Sequence, residues 1–221
     1  MTRVLVGTVK GGFIFSSDDA RQNWKLEREI FPGWKVTAAA RTSSGRYLTG
    51  TASFVYGATI QVSRDLENWE QVPQSPAFEE GGDRRLDEIW RFNVETETLY
   101  VGVSEAGLFL SLDDGDHWEP VSGLNDHETR SAWMPGFGGL CAHAILVDRA
   151  NPNRLWCGIS AVGVFRSDDG GKTWQPRNSG ITSVIPDAPA GIGYCVHGLA
   201  SDAENADRIF RQDHMGMYRT T

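Results

Sequence analysis

The residues in this sequence best suited to chemistry are two Cys-x-His pairs, Cys141-Ala-His143 and Cys195-Val-His197. Imidazole titrates near neutral pH and, like thiolate, ligates borderline metals, so such pairs suit acid–base work or metal ligation. On a strand, however, alternation puts Cys and His on one face, where a small thiol packs and a histidine bonds a carbonyl. We read the cysteines as packing and His143 and His197 as ligand-facing, and expect no metal and no cofactor. A second set comprises the carboxylates Asp83, Asp87, Glu88, Asp126, Glu128 and Asp187, interspersed with Arg84, Arg85, Arg91 and Arg130. Glycoside hydrolysis needs two carboxyls about 5 to 10 Å apart, which Asp87 or Glu88 with Glu128 or Asp187 could supply; solvated loop charge is the competing reading. Trp34, Trp90 and Trp133 offer indole faces to a sugar ring and Arg130 a polar contact, against packing between repeats. Gly136-Phe-Gly-Gly139 has no following Lys-Ser/Thr, which argues against a phosphate loop.

The elements that must position these residues emerge from self-comparison. Leu99 to Trp118 aligns without a gap on Leu155 to Trp174, and both contain Ser-x-Asp-x-Gly-x-x-Trp: Ser111, Asp113, Gly115 and Trp118, then Ser167, Asp169, Gly171 and Trp174. Leu48 to Trp69 ends in a shortened box with Ser63, Asp65 and Trp69. Val4 to Trp24 is looser, with Ser16 or Ser17, Asp18 or Asp19, and Trp24; we assign Ser17 and Asp19 to it. A fifth copy starts at Arg208 and stops at Thr221, before its Asp and Trp. A spacing of about 46 to 56 residues is the size of one four-stranded propeller blade.

Each unit reads as an inner strand, a polar turn, a second strand, a Gly-bearing hairpin, and a third strand joined by the box to a fourth. The box has the chemistry of a turn: Asp accepts backbone N–H bonds, Gly takes positive φ, Ser caps and Trp covers the bend. Its residues are therefore structural. Residues 1–221 read as one all-β domain, an incomplete β-propeller of about four to five blades that begins at the second strand of its first blade.

The segments entering the inner strands are residues 25–36, 74–90, 121–143 and 178–197, and the last three, at about 17 to 23 residues, exceed the usual connection length. Long loops in compact domains tend to carry function. Aligning the inner strands stacks Trp34/Val36, Glu88/Trp90, Cys141/His143 and Cys195/His197 near one channel mouth.

Composition bounds the function classes. The chain of 221 residues carries 21 basic and 29 acidic residues, a net charge of −8, without a Lys/Arg stripe, so nucleic acid and anionic membranes are poor partners. Three cysteines without CxxC argue against a disulfide framework or zinc ribbon and for reduced thiols in the cytoplasm. There is no signal-peptide pattern at the N-terminus and no apolar run near the roughly 18 residues of a spanning helix.

These boxes resemble the BNR/Asp-box superfamily, which includes sialidases, xyloglucanases, sortilin-type receptors and photosystem-assembly factors. Val6-Gly-Thr-Val-Lys-Gly-Gly-Phe13, Gly33-Trp-Lys-Val36, Trp133 to His143, Ala161 to Trp174 and Gly193-Tyr-Cys-Val-His197 are similar to bacterial BNR-repeat "glycosyl hydrolase" or exo-α-sialidase-like proteins. The likeness spans essentially the whole chain, implies the fold more than a reaction, and implies six or seven blades in the closed form. Sialidases carry Phe/Tyr-Arg-Ile-Pro in the first blade; here Val4 to Phe15 has Lys10 and no arginine, so their arginine clamp does not transfer. The expected function is ligand binding at the channel mouth, of a carbohydrate or small molecule, with glycoside hydrolase-like chemistry as an extension. The alternative is a non-catalytic scaffold that binds a protein partner.

Overall fold

The computed structural model describes residues 1–183 and 189–220, so Asp187 lies outside the described residues. The described residues form five antiparallel sheets in series. The first holds β1 (Thr2–Thr8), β2 (Gly11–Ser17) and β3 (Lys25–Ile30); the second β4 (Lys35–Arg41), β5 (Tyr47–Ser53), β6 (Gly57–Ser63) and β7 (Glu70–Gln71). The third holds β8 (Ile89–Asn93), β9 (Leu99–Val103), β10 (Leu108–Ser111) and β11 (Glu119–Pro120); the fourth β12 (Ala142–Val147), β13 (Leu155–Ile159), β14 (Gly163–Ser167) and β15 (Gln175–Pro176). The fifth holds β16 (Gly198–Ser201), β17 (Ile209–Asp213) and β18 (Gly216–Arg219). The first sheet has three strands, and the close approach of Gly7 on β1 to Val36, matching that of Gly102 on β9 to Ala142, gives β1 the place of a second strand. Among the described residues, no helix is long and apolar enough to cross a membrane.

From the second sheet on, successive sheets pack through their inner strands, β8 against β4, β12 against β8 and β16 against β12, while β4 lies against the second-type strand β1 of the first sheet. The hydrophobic core therefore lies between sheets. One cluster joins Leu48 and Ile60 of the second sheet to Ile89, Val101 and Phe109 of the third; another joins Leu108 to Ile145, Leu155 and Phe165 of the fourth. A recurring glycine on the second strand permits this approach. A Cβ on Gly102 would sit 2.0 Å from the Ala142 carbonyl oxygen and one on Gly7 2.3 Å from that of Val36, while Gly50 and Gly158 make room for the side chains of Ile89 and Val196. The outer strands, two residues long in the second to fourth sheets, limit the free edge available for aggregation.

The boxes are turns, as their composition requires. Ser167 donates to Asp169 (2.8 Å) and accepts from the Gly171 N–H (2.9 Å), Asp169 accepts from the Thr173 N–H (2.9 Å), and the Trp174 indole donates to the Gly171 carbonyl (3.0 Å). Ser111, Asp113, Gly115 and Trp118 repeat the pattern. In the second sheet Ser63 and Asp65 do the same, with Leu66 at φ 67° taking the place of glycine and receiving the Trp69 indole N–H. The first box corrects one assignment. Asp18, not Asp19, accepts from Gln22 N–H (3.1 Å) and Asn23 (2.6 Å), with Ser17 beside it and Trp24 donating to Arg21. Asp19 is exposed and pairs with the N-terminal amine. Ser17 and Trp24 keep the spacing of the third and fourth boxes but the carboxylate sits one residue earlier, so strict Ser-x-Asp counting from Ser17 lands on the wrong one.

Candidate functional site

Each box lies at the opposite end of its sheet from the long entry loops. On β6 the box serine Ser63 and the hairpin residue Gly57 are separated by the whole strand, about 20 Å. The entry loops gather with the second-to-third-strand hairpins instead. Trp34 stacks on Tyr56 at 5.8 Å, Glu88 accepts from the Ser104 N–H at 2.9 Å, and Cys141 accepts from the Ser160 N–H at 3.0 Å. This loop face is where ligands could meet the inner strands.

The inner strands share a device at this end. The ladders shift register between Val36 and Ala38, Ile89 and Arg91, and Ala142 and Ala144, so Thr37, Trp90 and His143 are extra, bulged residues. The Gly198–Gln212 pairing, with the His197 N–H donating to the Gln212 carbonyl at 2.8 Å, puts His197 at the same level. Bulges re-aim side chains and cluster beside functional sites. The equivalence corrects the second-blade alignment by one residue: Lys35/Thr37, not Trp34/Val36, match Glu88/Trp90, Cys141/His143 and Cys195/His197.

The candidate carboxylates are engaged separately. Glu88 pairs with Lys35 of the adjacent blade at 2.5 Å, which raises the lysine pKa through that hydrogen bond and charge. Asp87 pairs with Arg85 at 2.9 Å and is exposed, as is Glu128. None of the described contacts joins two of them. Arg130 donates to the carbonyls of Glu105 and Ala106, both in the left-handed region, and its guanidinium lies 4.6 Å from the Trp133 ring centre. Burial, then repulsion from Arg84, lowers its pKa. Arg130 thus braces a strained hairpin. Trp133 is only 6% exposed, bonds Thr129 and packs on Phe165, so it presents no face to a sugar. An open cleft of about 440 Å³ is lined by Asp83, Arg84, Glu105, Asp126 and Arg130. Three carboxylates against two guanidiniums leave no surplus positive charge to clamp an anionic sugar.

The thiols divide into two kinds. Burial pushes Cys141 to about 11 and Cys157 to about 12, marking inert packing thiols, whereas Cys195 is partly exposed. His143 is half-buried; burial lowers its pKa, and its Nδ1 has no partner. His197 is exposed and meets His214 edge to face at 4.1 Å. Sequence comparison missed His214. It aligns with Ser104 and Ser160, and only the β17–β18 hairpin brings it beside His197. Also missed were the buried Asn125 and Asn178, which bond the N–H and C=O of Leu108 and Val164 and tie the entry loops to the third strands.

The architecture defines the class: the described residues are part of a β-propeller of four-stranded antiparallel blades. No family model matches the sequence. The chain is 29% identical over 185 residues to the photosystem II stability/assembly factor HCF136, chloroplastic, of Cyanidioschyzon merolae, covering 74% of this chain and 38% of that protein. It is 27% identical over 166 residues to the photosystem II assembly lipoprotein Ycf48 of Nostoc, covering 74% and 42%. The chain thus spans about two fifths of the length of these relatives. Among solved structures, YCF48 bound to D1 peptide superposes with a TM-score of 0.60 at 18% identity, over 96% of this chain and 58% of that one. A GH74 xyloglucanase from Xanthomonas campestris gives 0.56 at 17%, over 99% and 42%. These two establish the fold. The expected cytoplasmic location is corrected by the two sequence relatives, one described as chloroplastic and the other as a lipoprotein.

Proposed function

We propose that this chain is a non-catalytic interaction scaffold whose loop face binds an extended polypeptide segment. The observation that carries the proposal is a set of exposed apolar residues at that face. Phe54, Val55 and Tyr56, at the tip of the β5–β6 hairpin, are 97%, 75% and 73% exposed, and Tyr56 is braced by Trp34; Met134 and Phe137 project from the loop before β12. Exposed aromatic clusters of this kind mark protein-binding surfaces. The two relatives described as assembly factors support the reading, as does the solved neighbour with a bound peptide. Carbohydrate hydrolysis has less support, because Glu88 and Asp87 are neutralised by separate cations and Trp133 is buried.

Selection of displayed, unstructured peptides on the chain, repeated on a Phe54→Ser/Tyr56→Ser variant, tests this. The proposal expects enriched peptides that the variant fails to retain, with no turnover of aryl glycosides. Equal enrichment on both proteins, or glycoside turnover abolished by Glu88→Gln, overturns it.

A further inference from the structure

We propose that Cys195, His197 and His214 form a site for a borderline-soft divalent transition-metal ion, with Zn²⁺ the best fit. This inference is independent of the scaffold reading. One ligand atom from each of the three side chains lies within 4.8 Å of the others. A tetrahedral Zn²⁺, with Zn–S near 2.3 Å and Zn–N near 2.0 to 2.1 Å, sets one sulfur and two nitrogens about 3.3 to 3.6 Å apart, so the cluster needs to close by only about 1 to 1.5 Å, within the reach of side-chain rotation. Such rotation is open to them, because both imidazoles are exposed and the thiol is half-exposed.

The backbone beneath the cluster is fixed on both sides. His197 N–H bonds the Gln212 carbonyl, the Arg211 guanidinium donates to the Cys195 carbonyl, and the Met215 N–H donates to the Asp213 carboxylate at 2.7 Å, holding the turn that carries His214. The fifth sheet departs from its siblings here. Arg211 and Asp213 are buried where the third and fourth sheets have Val101 and Cys157, then Val103 and Ile159. Polar residues at positions that otherwise pack as core indicate a strand specialised for something other than packing.

From the neighbouring bulge, His143 adds a second observation. His143 is half-buried on the adjacent inner strand, at the level of His197, and its buried Nδ1 has no partner. A half-buried histidine with an unpartnered ring nitrogen suits a fourth ligand or an outer-shell support. Two imidazoles and a thiolate match the donor preference of Zn²⁺ over that of Mg²⁺ or Ca²⁺, which select oxygen.

The test is a titration of the untagged, metal-stripped chain with Co²⁺, followed by competition with Zn²⁺. The proposal predicts one equivalent bound with tetrahedral d–d bands and thiolate-to-cobalt charge transfer, both erased by Zn²⁺. Cys195→Ser should remove the charge-transfer band. His214→Ala, at an exposed turn position that leaves folding intact by circular dichroism, should weaken Co²⁺ binding by more than about 100-fold, beyond the usual loss of an outer-shell partner. An octahedral spectrum without charge transfer, or wild-type affinity in folded His214→Ala, overturns the site.

Discussion

Asp113 and Asp169 are held at about 2 by different balances. For Asp113, burial works to raise the value, and bonds from His117 and Ser111 outweigh it; for Asp169, bonds from Thr173 and Ser167 act almost unopposed. Because the folded-state pKa lies below the ordinary 3.8, the stabilisation is complete above about pH 4 and lost as pH falls towards 2. Thermal melting across that interval should show a steep loss of Tm that is shallower in Asp113→Asn/Asp169→Asn; an unchanged slope contradicts the turn role. Residue types made this chemistry legible, since Ser, Asp, Gly and Trp at these spacings have few other uses. They did not resolve Asp18 from Asp19, because adjacent carboxylates satisfy the same composition and only the bonds from Gln22 and Asn23 tell them apart. Nor did they find His214, whose partner lies across a hairpin rather than two residues away.

The repeated elements carry their own tests. Gly102→Ala drives a Cβ into the Ala142 carbonyl and should cost about 2 to 3 kcal/mol, whereas Gly138→Ala, with nothing within 4 Å, should be neutral in chemical denaturation. Equal effects would mean the sheets are not packed in this register. Asn125→Ala leaves the Leu108 N–H and C=O without their partner in a buried position, a loss of about 2 to 4 kcal/mol by the same measurement. Strands and boxes could be read from the repeat itself, Leu155–Trp174 and its copies. The bulges could not, because an extra residue such as Trp90 or His143 looks like ordinary alternation until its ladder partner is known. That is why sequence alignment alone sets the second inner strand one residue early.

Over the whole molecule, the sheets place their boxes at one end and their long loops at the other. The box end is tied by contacts between neighbouring units, such as Arg46 with Asp116 at 2.6 Å and Ser44 with Asp114 at 2.7 Å. The loop end carries the bulged inner strands, the cysteine–histidine cluster and the exposed aromatic hairpin. This polarity separates scaffold from surface and explains why the boxes, the strongest signal in the sequence, say least about what is bound. The most direct measurement is hydrogen exchange on the chain with and without a peptide selected on it. The scaffold account predicts protection confined to residues 31–36, 53–57 and 131–141 on the loop face. Protection at the boxes around Asp113 and Asp169, with none at the Phe54–Tyr56 hairpin, would contradict it.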